Sequence, residues 1–196
     1  MARPSKKAER REEIIDAYAR CVARFGVAGA TLQRVADESG LARPLLHHFV
    51  GNREDLLQAL TDRLEARAQE EGRKLRHYLP ESERCAYLLE YLFDHRYATD
   101  AQDAQLYQAL LFAANDHPAL RPILLRWQAG IVEEIAAELA VEHPQASRES
   151  INQVALGIAA LYLNADSIAA LAPATTIFNE AKLAAKRLLE TLLWNG

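Results

Sequence analysis

Residues 31–50 read TLQRVADESGLARPLLHHFV, two short apolar-periodic segments parted by a Ser39-Gly40 break. Thr31 is placed to cap the first segment, its hydroxyl taking up a free N–H of the opening turn. Leu32, Val35 and Ala36 fall on one face of that helix. Gly40 ends it, because glycine readily takes the left-handed conformation of a helix stop. The second segment runs from about Arg43 to Phe49, with Pro44 in its first turn, where a missing N–H costs little. Two short helices joined by a tight glycine-containing turn have the form of a helix-turn-helix, whose second helix enters the DNA major groove. Leu46 and Val50 point to the core. Arg43, Pro44, Leu45, His47 and His48 point outward, a mix of donors and apolar groups suited to base edges and thymine methyls.

Upstream, Ile14, Ile15, Tyr18, Cys21, Val22 and Phe25 line one face of a first helix that Gly26 and Gly29 stop. Downstream, Gly51-Asn52 breaks the chain. Asn52 caps a fourth helix, with Glu54 and Asp55 at the positive end of its dipole. That helix extends to about Tyr78, before Pro80, and is expected to join the two parts of the chain without a flexible hinge. Further helices are expected at 83–98, 101–115, 119–142, 148–171 and 177–193, separated by Asp-, His- and Pro-containing breaks. No segment alternates in the manner of a strand. The fold class is therefore all-α with about nine helices. A helix-turn-helix domain over residues 1–52 is followed by a helical domain over residues 53–196.

The net charge is −4, but its distribution is uneven. Residues 1–60 hold ten Lys and Arg against eight Asp and Glu, so the rest carries −6. A basic head on an acidic body suits a protein that offers only its head to DNA. Arg3, Lys6, Lys7, Arg10 and Arg11 make either a solvated terminus or a minor-groove arm. The opening residues lack the apolar core of a signal peptide. The most apolar stretch, 154–173, includes Asn164, Asp166 and Ser167, which favours a buried helix over a membrane span. Cys21 and Cys85 read as buried thiols, and the chain as cytoplasmic.

No catalytic constellation stands out. A phosphate loop, a zinc-protease pair and a nucleophile elbow are all absent, so no enzyme and no cofactor are expected. His47 and His48 are adjacent rather than spaced three or four apart, which argues against a metal.

The stretches Thr31–Ala36, Gly40–Val50 and Asn52–Leu56 together resemble the N-terminal domain of TetR-family transcriptional regulators, in position, order and spacing. The resemblance covers about residues 10–60. It implies a DNA-binding site of Thr31, Gln33, Arg43, Pro44, Leu45, His47 and His48, with Arg53 as a basic phosphate clamp. It also implies a variable C-terminal region for effector binding and dimerisation. His47 stands where the family usually has Tyr. Ala42 and Leu45 replace small polar residues, and Phe49-Val50 replaces His-Phe. These departures bear on the operator sequence rather than the fold.

Within the second domain, Phe93, Tyr97, Tyr107, Trp127 and Asn164 are candidate linings of a small-molecule pocket. Ile151, Val154, Ile158 and Tyr162, with Leu188 and Leu192, are candidates for a two-fold four-helix interface. The expected partners are double-stranded DNA, a second copy of the chain and an unidentified small-molecule effector, with no membrane. The chain reads as a ligand-responsive regulator, more often a repressor, on a pseudo-palindromic site. The alternatives are a small-molecule-binding helical protein without specific DNA binding, and a helical enzyme using the body pocket.

Overall fold

The computed structural model describes residues 6–94, 101–169 and 174–193. Among these residues the chain forms nine α-helices and no strand. They are α1 Lys6–Gly29, α2 Leu32–Ser39, α3 Arg43–Val50, α4 Arg53–Tyr78, α5 Arg84–Leu92, α6 Ala101–Ala113, α7 Leu120–Glu142, α8 Arg148–Ile168 and α9 Ala174–Glu190, the last followed by a 3-10 turn at Thr191–Leu193. The all-α expectation holds, and α4 ends at Tyr78 as Pro80 requires. The expected tail of α5 falls partly in 95–100, and the break at Ala172-Pro173 falls in 170–173. Both lie outside the described residues.

The chain forms two compact units. One comprises the described residues up to Gln69 together with Gln102–Leu124. The other comprises Glu70–Ala101 and Leu125 onward. The core of the first gathers Ile14, Tyr18, Val22, Val35, Leu46 and Leu56 with Leu106 and Leu110 of α6. The helix-turn-helix therefore shares its core with a helix from beyond residue 100.

Local chemistry sets the joints of this unit. Gly26 is non-helical, with φ 70°, and bends α1 just after Phe25. Phe25 was expected on the buried face, but it is 43% exposed while Val27 takes the buried place. The bend resets the helical register, so the apolar spacing of the preceding turns does not continue through it. Asn52 and Asp55 cap α4 reciprocally: the Asp55 N–H donates to Asn52 Oδ1 at 3.0 Å, and the Asn52 N–H to Asp55 Oδ2 at 2.9 Å.

The core of the second unit gathers Cys85, Leu88, Leu89 and Phe93 with Ile135, Leu139, Ile158 and Phe178. Helix α9 approaches α8 closely at Gly157, where an added Cβ would meet Leu188 Cδ1 at 2.7 Å. A row of carboxylates on α7, four residues apart, receives the end of α4 and the start of α5. Glu134 accepts from Arg76, Glu138 from Arg84, and Glu142 from the Cys85 N–H at 2.7 Å. Burial, then the neighbouring Glu142 and Glu138, push the Cys85 thiol up to about 12. Cys21 is also buried, and its thiol is raised, again chiefly by burial.

Candidate nucleic-acid interface

Helix α3 is eight residues long, too short to be stable alone. Leu46, fully buried, and Val50 anchor it to the core. Its N-cap is Ala42, which supplies no side-chain hydrogen bond, and Pro44 sits in its first turn. Arg43, Pro44, Leu45, His47 and His48 are all exposed, as the periodicity requires. The His48 ring lies edge-on to Phe49 at 5.2 Å between centroids. Arg43 makes no ion pair among the described residues, so its charge is unopposed at the start of the helix.

Helix α2 precedes the reader. The Thr31 hydroxyl accepts from the Arg34 N–H at 3.3 Å and caps it, and Gly40 closes it in the left-handed conformation at φ 67°. Gln33 is exposed, its amide donating to Asp37 Oδ1 at 2.9 Å. Arg20 of α1 holds Glu38 of α2 at 2.6 Å, which fixes the two helices against each other.

Arg53 is placed differently from an open phosphate clamp. Its guanidinium donates to the Val27 carbonyl, its side chain is half-buried, and it lies beside the Tyr18 hydroxyl without closing a hydrogen bond to it. Burial pushes that hydroxyl up to about 12, partly opposed by the Arg53 charge. In this chain Arg53 ties the start of α4 to the end of α1. The sequence reading missed this because Val27 lies 26 residues away and acts through its backbone, which carries no residue signature.

The described candidate pocket residues are divided between the two units. Phe93 is buried in the second core, edge-on to Tyr162 with centroids 6.4 Å apart. Trp127 is half-buried on α7 in the same unit. Tyr107 packs against the first core instead, where burial raises its hydroxyl pKa. Asn164 is exposed in an open groove with Gly157, Ala160, Ala184, Arg187 and Leu188. Tyr97 lies outside the described residues.

The candidate dimer stripe also needs correction. Ile151, Val154, Ile158 and Leu192 are buried in the chain's own second core, and Tyr162 and Leu188 pack against it half-buried. The outward face of α8 carries Asn152, Gln153, Leu156, Ala160 and Asn164, with Leu156 54% exposed. The stripe that the periodicity of α8 marks as most apolar is the one the chain buries against itself.

A three-helix N-terminal corner whose third helix, α3, faces outward has the form of a helix-turn-helix. Residues 14–60 match the family model for bacterial regulatory proteins of the tetR family, the family that the sequence resembles over about residues 10–60. Over 70 residues the chain is 34% identical to the HTH-type transcriptional repressor AcnR of Corynebacterium glutamicum, which covers 36% of this chain. The match spans 37% of AcnR's length. Two solved structures share the fold along nearly the whole chain. A protein of Pseudomonas aeruginosa PAO1 assigned as a transcriptional regulator matches with a TM-score of 0.79 at 19% identity, over 95% of this chain and 91% of its own. A TetR transcription regulator of Haloarcula marismortui matches with a TM-score of 0.75 at 19% identity, over 93% of this chain and 97% of its own. Among the described residues no helix is long and apolar enough to cross a membrane.

Proposed function

We propose that this protein is a DNA-binding transcriptional regulator, a repressor in its basal state, and not an enzyme. The observation that carries the reading is the exposed row Arg43, Pro44, Leu45, His47 and His48 on a helix anchored by Leu46 and Val50, within the segment that matches the tetR family. Residues 1–52 form the reading domain, with Thr31 and Gln33 supporting the reader at the groove edge. Residues 53–196 serve dimerisation and effector binding in the cytoplasm. Two readers related by a two-fold axis address half-sites whose centres lie about one helical turn apart. The pairing surface is the outward face of α8 with its neighbours on α9, where Leu156, Ala160, Asn164 and Leu183 are available. The aromatic pair Phe93 and Tyr162, with Trp127, supplies the second unit with side chains suited to a small apolar effector.

The test is a fluorescence-anisotropy titration against the DNA upstream of the protein's own gene and against a scrambled duplex. The reading expects tighter binding to the upstream DNA, weakening steeply with salt. Equal, salt-insensitive binding to both would defeat it and favour a small-molecule-binding helical protein without specific DNA binding.

A further inference from the structure

We infer that Arg34 is the phosphate-gripping residue of this domain, held ready by Phe25, and that it takes the place Arg53 has left. The inference rests on the DNA-binding reading and deepens it. Arg34 is exposed in the first turn of α2. Its guanidinium carbon lies 4.4 Å above the centre of the Phe25 ring, and Nη1 donates to the Gly29 carbonyl at 2.7 Å. Two contacts with different geometry fix a side chain that is otherwise among the most mobile. The corner is open because residue 29 is glycine: a Cβ there would stand 2.9 Å from Phe25 Cβ and 3.3 Å from Arg34 Nη1.

The charges around it support the assignment. In the same unit Arg10 pairs with Glu13, Arg20 with Glu38, Arg63 with Asp16 and Arg67 with Asp103. Arg24 lies over the same Phe25 ring at 5.2 Å but has Glu38 at 3.9 Å. Arg34 makes no ion pair among the described residues. Its charge sits at the positive end of the α2 dipole, where a cation is disfavoured and an anion is drawn. A brace between α1 and α2 would be served as well by a neutral donor. An unneutralised guanidinium fork on an exposed side chain, with one nitrogen anchored, has the donor geometry that suits a phosphate. In a helix-turn-helix the helix before the reader crosses the DNA backbone, which puts an exposed cation of its first turn beside phosphates.

The test uses the full chain and a mixed-sequence duplex, with affinity measured from about 50 to about 200 mM salt. One lost phosphate contact lowers the log–log salt slope by about 0.9 per bound chain. Arg34→Gln should show that drop, and its affinity deficit relative to wild type should shrink about 3.5-fold per bound chain across the range. Arg34→Lys should keep the slope while binding more weakly, since the charge remains and the stacked fork is lost. Phe25→Leu should do the same. Arg73→Gln, an equal charge change on the second unit, should leave the slope unaltered. Thermal unfolding of each variant reports folding separately, and Arg34→Lys with Phe25→Leu carry the test if Arg34→Gln unfolds. A wild-type slope retained in Arg34→Gln, or undiminished affinity in both Arg34→Lys and Phe25→Leu, overturns the role of Arg34 alone. A wild type that shows no salt-sensitive binding overturns the DNA-binding reading with it.

Discussion

Removing the Glu138 carboxylate should destabilise the second unit far more than removing both members of its ion pair. Glu138 is 5% exposed, and its Oε2 accepts from Arg84 Nε at 2.7 Å and lies 2.6 Å from Nη2. The Arg84 side chain is itself only 19% exposed. In Glu138→Ala a largely desolvated guanidinium keeps only the Pro80 carbonyl, which it meets at 2.9 Å. Breaking a buried pair in this way costs about 3–5 kcal/mol, and the remaining Pro80 contact and partial exposure favour about 3. With a urea m-value of about 2.5 kcal/mol/M, the unfolding midpoint falls by about 1.2 M. The pair Arg84→Met with Glu138→Leu leaves neither charge nor void, and should lie within about 1 kcal/mol of wild type. Tryptophan fluorescence is a suitable probe, because Trp127 lies half-buried on α7 of the second unit. Protein concentration is held constant, since association shifts apparent midpoints. A Glu138→Ala midpoint within about 0.3 M of wild type would refute the reasoning, as would a double variant no better than the single one.

Three further outcomes follow from the geometry. Glu83 is a non-glycine residue at φ 57° and makes no cap hydrogen bond, so Glu83→Gly should raise stability by about 1 kcal/mol in the same urea assay. Leu46→Ala empties a fully buried site and should cost about 3 kcal/mol in circular-dichroism melts, with DNA affinity falling in step as the reading helix loses its anchor. Glu90 is held below its ordinary pKa by hydrogen bonds from Lys182 and then Lys186. A depressed carboxylate contributes stability above its unfolded value of about 4.3 and loses it as pH falls through the lower folded value. The stabilities of wild type and Glu90→Gln should therefore converge in acid and differ at neutral pH; a constant difference across that range would count against the pairing.

How far the sequence could be read depended on whether the chemistry was local. Thr31, Gly40, Pro44 and Asn52 each act within a few residues of themselves, so the frame of the helix-turn-helix and the inward or outward sense of α3 were legible. Phe25 was not, because Gly26 turned the helix after it and broke the register on which the reading relied. On α8 periodicity marks the apolar stripe, and the chain buries that stripe in its own core, leaving a more polar face with Leu156 outward. Nothing in the sequence of α6 announces that Tyr107 packs against the first core rather than lining a pocket in the second unit. The hydrogen bonds of Arg53 to the Val27 carbonyl and of Arg34 to the Gly29 carbonyl were not legible either, because every residue shares a backbone acceptor.

The uncapped, eight-residue α3 draws its conformation from the two side chains it buries. Its five outward residues therefore contribute little to holding the backbone in place. Surface and scaffold are separable variables here: a library randomised at residues 43, 45, 47 and 48, with Leu46 and Val50 retained, should consist largely of folded proteins. Selection from such a library would then report recognition preferences directly, with little confounding by stability.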